Sequence, residues 1–134
     1  MDFRPILRIG ICAIMIAMTA GCQKKKTEEE TVQYQQISQE EAKNIMDTDD
    51  SILILDVRTK SEYAEGHIKD AVLMPYDEIE DYAESEFEDK DQKILVYCRS
   101  GNRSKVAAQI LAGLGYTNVI EFGGVNTWTY GLVK

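Results

Sequence analysis

Two short runs of nearly unbroken branched apolar residues, Ile52 to Val57 (ILILDV) and Lys93 to Tyr97 (KILVY), constrain this chain more than any other feature. A strand with one face in water alternates apolar and polar residues, whereas a strand buried on both faces reads as a continuous apolar run. Such strands need helices above and below them, and the sequence carries the matching signals. Ser38 is followed three residues later by Glu41, and Thr59 by Glu62, two capping boxes that satisfy free backbone donors at a helix start. Gly66 and Gly115 fall where helices should stop. From Arg103 to about Leu114, the residues Val106, Ala107, Ile110, Leu111 and Leu114 recur at spacings of three and four, which predicts one stripe against a sheet. Ala71 to Leu73, Val119 to Phe122 and Tyr34 to Ile37 supply further strand candidates. Strand then helix, repeated, predicts an α/β fold with a mainly parallel five-stranded sheet, right-handed crossovers and helices on both faces.

Length and composition narrow the reading. The 134 residues allow one domain with one core. Aromatics at 8% and only 2 prolines exclude collagen-like and broadly disordered chains. Lys plus Arg number 15 against 23 Asp plus Glu, a formal charge of -8, the wrong sign for attraction to phosphate backbones, so no nucleic-acid partner is expected.

The N-terminus differs in kind from the rest. Arg4 and Arg8 precede Ile9 to Ala20, a run of 12 uncharged, mostly apolar residues. Roughly 20 are needed to span a bilayer, so the segment reads as a secretory signal. It ends in Thr19-Ala20-Gly21-Cys22, which resembles the lipobox of bacterial lipoproteins. That resemblance implies cleavage after residue 21, acylation of Cys22, and an exported protein anchored by lipid to a bacterial membrane, on its periplasmic or cell-surface side. Residues 22–33 read as a flexible polar tether, leaving 34–134 as the folded domain. With Cys12 removed and Cys22 blocked, Cys98 is the only thiol of that domain, and no intramolecular disulfide can form.

In parallel sheets the ligand site lies beyond the carboxyl ends of the strands, where loops enter helix N-termini. One run here ends in Asp56-Val57-Arg58, the other in Cys98-Arg99-Ser100-Gly101-Asn102-Arg103. The second stretch turns sharply between strand and helix, and Gly101 permits the positive φ such a turn requires. Backbone amides, a helix dipole and two arginines around a sulfur favour thiolate over thiol. The expectation is an anion-binding site that reacts through sulfur, and it requires that the sulfur be ionised and open to solvent.

The stretch YCRSGNRS resembles the active-site loop of rhodanese domains, LDVRTKSEYAEGHIKDAVLMP their upstream segment, and GYTNVIEFGGVNTW their C-terminal end. The resemblance covers residues 34–134 and implies a sulfurtransferase. Cys98 would take a sulfane sulfur from a small anionic donor such as thiosulfate, form a persulfide, and pass the outer sulfur to a thiol or to cyanide. The amides of Arg99, Ser100, Gly101, Asn102 and Arg103 would stabilise the anionic sulfur, and Arg99 and Arg103 would attract the donor. No metal or organic cofactor is implied. Four residues separate Cys98 from Arg103, whereas the related dual-specificity phosphatases have five, so the smaller ring suits sulfur better than phosphate. A persulfide carrier that does not turn over and, behind it, a phosphatase or arsenate reductase are the alternatives.

Neighbouring residues have structural readings. Asp56 is expected to hydrogen-bond the active loop, and Arg58 either joins the anion field or pairs with Glu62 or Glu65. His67, the single histidine, is expected to be a hydrogen-bonded loop residue, since a thiolate needs no base. Trp128 and Tyr130 are expected to pack the last helix against the core or to rim the pocket, and Gly123-Gly124 to turn close to the active loop.

Overall fold

The computed structural model describes residues 33–134; the signal segment, Cys22 and all but the end of the tether lie outside the described residues. Five strands form one sheet: β1 (Gln35–Gln36), β2 (Leu53–Asp56), β3 (Val72–Leu73), β4 (Ile94–Cys98) and β5 (Val119–Gly124). They pair in the order β1-β5-β4-β2-β3, every pairing parallel. The chain is thus the α/β, parallel-sheet architecture that the apolar runs predict, with β4 in the middle and buried along its whole length.

Four helices cover the sheet: α1 (Gln39–Thr48), α2 (Lys60–Glu65), α3 (Ile79–Glu86) and α4 (Asn102–Gly113). Both capping boxes form. The Ser38 hydroxyl accepts from the Glu41 amide at the start of α1, and the Thr59 hydroxyl from the Glu62 amide at the start of α2. Side chains alternate across the strands, so the two faces have different partners. Leu55, Ile94, Val96 and Cys98 pack with Ile79 and Ala83 of α3 and Ala107, Ala108 and Leu111 of α4. Ile54, Leu95, Tyr97, Ile120 and Phe122 pack with Ala42 of α1 and Tyr63 of α2 on the other face.

One detail of the expected stripe on α4 is corrected. Val106 is 44% exposed, whereas Ser104 has no exposed surface. The buried positions 104, 107, 108 and 111 are the three-and-four pattern that meets the sheet, and the helix is turned so that a small polar residue, not valine, faces the strand ends.

Candidate active site

Strand β4 delivers Cys98 to the carboxyl edge in the middle of the sheet. The chain then reverses over Arg99, Ser100 and Gly101, and α4 starts at Asn102. Gly101 adopts φ +105°, which a residue with Cβ takes at a cost, and this aims its N–H at the Cys98 sulfur, 3.0 Å away. The amides of Ser100 and Ser104 add to the same field at the N-terminal end of a 12-residue helix. Burial on its own would raise the thiol's pKa, but the Ser104 side chain and the three amides outweigh it and the net shift is downward.

The expectation of an open sulfur is not met. Cys98 has 0% of its surface exposed, while Arg99, Ser100 and Asn102, which follow it in the loop, are exposed. A reaction at the sulfur therefore requires local opening of the groups around it. The loop is held from behind by the end of β5 and the residues just after it. A Cβ built on Gly124 would stand 2.1 Å from the Arg99 carbonyl oxygen and 2.6 Å from the Ser100 nitrogen, so only glycine allows this approach. The Asn126 amide donates to the same Arg99 oxygen at 3.0 Å. Gly123-Gly124 thus sits against the active loop as expected, but as the end of strand β5 and not as a turn.

Two residues that sequence reasoning missed complete the surroundings of the sulfur. The Ser104 hydroxyl lies 3.4 Å from Cys98 Sγ and 2.6 Å from Oε2 of Glu121, a β5 side chain only 2% exposed. The signal was present in both cases: Ser104 falls in the apolar phase of its helix, and Glu121 interrupts the buried run VIEFGG with a charge.

Asp56 and Arg58 form a separate cluster, and two expectations about them are corrected. Asp56 does not hydrogen-bond the active loop. Its carboxylate takes the Arg58 guanidinium from Nε at 2.9 Å and from Nη2 at 2.7 Å, and the Tyr97 hydroxyl at 2.7 Å. Arg58 pairs with neither Glu62 nor Glu65; beyond Asp56 it donates to the Gly66 carbonyl oxygen at 2.7 Å. Strand alternation is the reason. Asp56 and Tyr97 point to the α1 and α2 face, Cys98 to the α4 face. Burial works against the Arg58 charge, but the Asp56 carboxylate beside it wins and holds the guanidinium protonated more firmly than usual. Burial and the same carboxylate push the Tyr97 hydroxyl well above its ordinary range.

The loop's own arginines behave differently from each other. Arg103 forms a two-pronged pair with Glu62, Nη1 to Oε1 at 2.8 Å and Nη2 to Oε2 at 3.0 Å. That contact, chiefly, lowers Glu62 to about 2. Arg99 is exposed, and its side chain makes no ion pair among the described residues. His67 stacks on Tyr63 with ring centroids 3.8 Å apart and its Nδ1 lies 3.0 Å from the Tyr63 carbonyl oxygen, a structural role. Trp128 packs not under α4 but on Phe122 in the α1-facing cluster, with Tyr130 against its edge at 4.9 Å.

A doubly covered parallel sheet that ends its central strand in a cysteine, with a glycine amide and a helix N-terminus around the sulfur, defines a class: α/β domains whose chemistry is carried by a loop-cradled thiol. The comparisons place the chain within it: residues 38–130 match the model of the Rhodanese-like domain, and the chain belongs to that family. It is 38% identical over 96 residues to "Thiosulfate sulfurtransferase GlpE" of Coxiella burnetii, covering 71% of this chain and 87% of that protein. It is 39% identical over 95 residues to "Putative sulfur carrier protein YrkF" of Bacillus subtilis, covering 70% of this chain and 50% of YrkF, so the chain spans half of that relative's length. Among solved structures, a rhodanese-like domain protein from Staphylococcus aureus superimposes with a TM-score of 0.66 at 32% identity, over 74% of this chain and 96% of that one. Family and relatives support a sulfurtransferase-like or sulfur-carrier function.

Proposed function

We propose that the protein is a sulfurtransferase that moves a sulfane sulfur from a thiosulfate-type donor to a thiophilic acceptor through a persulfide on Cys98. The observation that carries this reading is the sulfur itself, held at the end of β4 with the Gly101 amide 3.0 Å away and its pKa lowered by the surrounding donors. In the first step the Cys98 thiolate attacks the outer sulfur of thiosulfate, the donor's S–S bond breaks, and sulfite leaves with the bonding pair. The persulfide keeps one negative charge, which the loop amides stabilise as an oxyanion hole stabilises oxygen. In the second step an acceptor such as cyanide attacks the outer sulfur, thiocyanate departs, and the Cys98 thiolate returns. Arg99, exposed beside the loop, draws the dianionic donor to the mouth of the site. A second reading is a carrier that holds the persulfide for a protein partner, and the similarity to "Putative sulfur carrier protein YrkF" favours it.

The test is to incubate the protein with thiosulfate, weigh it intact, then add cyanide and assay thiocyanate. A sulfur adduct that discharges rapidly to cyanide supports transfer; an adduct that discharges only to a protein thiol supports the carrier. Cys98→Ser should abolish both the adduct and the thiocyanate, and activity that survives this change overturns the proposal. Export and lipid anchoring at Cys22 belong to the same proposal. They predict that Cys22→Ser moves the protein from the membrane to the soluble fraction and removes acyl mass from its N-terminal peptide.

A further inference from the structure

The proposed reaction uses the thiolate, the loop and an exposed arginine, but leaves one buried charge unexplained. Glu121 stands on β5, opposite Val96 in the strand pairing, and so faces the same side of the sheet as Cys98. Its Oε2 accepts from the Gly123 amide at 2.9 Å and from Ser104 Oγ at 2.6 Å, and its Oε1 accepts from Gln36 Nε2 at 3.1 Å. Among the described residues no lysine, arginine or histidine forms an ion pair with it. A buried carboxylate of this kind is held by neutral donors alone.

The Ser104 hydroxyl has one proton and lies within reach of both acids. Its oxygen has Cys98 Sγ at 3.4 Å and Glu121 Oε2 at 2.6 Å, with the Gly101 and Gly123 carbonyl oxygens at 3.0 and 3.3 Å. When cysteine is a neutral thiol, S–H can donate to Oγ while Oγ–H donates to a carboxylate. When the sulfur is ionised, the hydroxyl must turn to the sulfur, and a carboxylate left behind would be an anion facing an anion across one oxygen atom. Two like charges this close in a buried site do not ionise together. Of the charged groups nearby, Lys105 of α4 lines the open cleft of about 420 Å³ that Glu121 also borders, Arg103 is paired with Glu62 and also acts electrostatically on Cys98, and exposed Arg99 follows the cysteine in the loop. The facing residues of β1 and α1 are the neutral Gln36 and Gln39, and among the described residues none of these cations forms an ion pair with Glu121.

We infer that Glu121 is a positioning residue for Cys98, one that takes up through the Ser104 hydroxyl the proton the thiol releases, so that the buried site holds a single negative charge in either state. The S–H bond breaks and its electron pair stays on sulfur; Ser104 receives that proton on oxygen and gives its own to Oε2 of Glu121. No other reactant is needed. The inference rests on Cys98 being the reactive group, but its test does not require turnover.

The full chain carrying Cys12→Ser and Cys22→Ser leaves Cys98 as its one thiol, and the ultraviolet absorbance of the thiolate is titrated against a Cys98→Ser control. The shared proton predicts a two-phase titration, with thiolate in only a fraction of the molecules on the intervening plateau, since one proton is divided between two sites. Glu121→Gln keeps the side chain's shape and should give a single phase, raising the thiolate fraction at the former plateau toward completeness. In a Ser104→Ala background Glu121→Gln should lose most of that effect, because the bridge is gone. Infrared spectra at the plateau should show the carbonyl stretch of a protonated carboxyl that disappears on alkylation of Cys98 and is absent in Glu121→Gln. A single-phase parent that superimposes on Glu121→Gln, effects that simply add in the double variant, or no protonated carboxyl would each overturn the inference. Failure here with a normal persulfide adduct would leave the transfer reading intact; a normal titration with no adduct would do the reverse.

Discussion

Adjacent strands β2 and β4 end in two buried polar clusters that lie on opposite faces of the same sheet. On the α1 and α2 face, Asp56 and Arg58 cancel each other through two close contacts, and Tyr97 occupies the remaining carboxylate lone pairs. On the α4 face, Cys98, Ser104 and Glu121 are linked by hydrogen bonds, and among the described residues no cation forms an ion pair with the carboxylate. The first cluster has equal charges of opposite sign in direct contact, so neither charge is left uncompensated. The second has two acids and one bridging hydroxyl, so its proton has somewhere to go. Burial fixes a polar group when the charges balance and makes it reactive when they do not.

The largest expected effect breaks the balanced side. Asp56→Ala leaves Arg58 buried without a counter-charge and should destabilise the fold by about 3–5 kcal/mol, measured by urea unfolding, while the Cys98 thiolate titration of the folded variant stays where it was. A loss below about 1 kcal/mol, or a moved thiol titration, would erase the distinction between the two clusters. Next in size is Gly124→Ala. The added methyl meets backbone rather than a flexible side chain, so the active loop must shift, at a cost of about 1–3 kcal/mol. The displaced loop should uncover the sulfur and weaken its amide contacts: alkylation becomes faster at alkaline pH, yet the thiol titrates nearer to free cysteine. Wild-type behaviour in both measurements would show that Gly124 does not shape the cup.

The smallest effect concerns the link between the clusters' helices. Arg103 holds Glu62 ionised down to about 2, so the folded carboxyl has a lower pKa than the unfolded one. The pair's contribution is therefore complete above the ordinary carboxylate range and is lost as pH falls from there toward about 2. Glu62→Gln should cost no more than about 1 kcal/mol at neutral pH, because the pair is partly solvated. The two proteins' stability curves should converge in acid; a gap that persists there would assign the loss to the capping contacts of α2 instead.

Much of this architecture was legible because it follows from local rules. The apolar runs give buried strands, and Ser38, Glu41, Thr59 and Glu62 mark two helix starts that form as written. The loop chemistry was legible because cysteine, glycine and arginine sit within six residues of each other. What escaped is what depends on phase and on pairing between distant strands. Tyr97 reads as one more apolar strand residue, yet its hydroxyl completes the Asp56 cluster across 41 positions of sequence. Val106 is exposed and Ser104 buried because the phase of α4 against the sheet, which the apolar spacing leaves loose, decides which residues meet the strands. Glu121 and Cys98 come together only when β4 and β5 align. The burial of the sulfur could not be read either, since it is a property of three-dimensional packing.

The contact between Gly124 and the Arg99–Ser100 peptide has a consequence for how the protein comes to be. The wall that moulds the reactive turn is contributed by the final strand, some 25 residues downstream of the cysteine. Until that strand has docked, the reactive turn lacks the surface that shapes it, so the site is completed only together with the sheet.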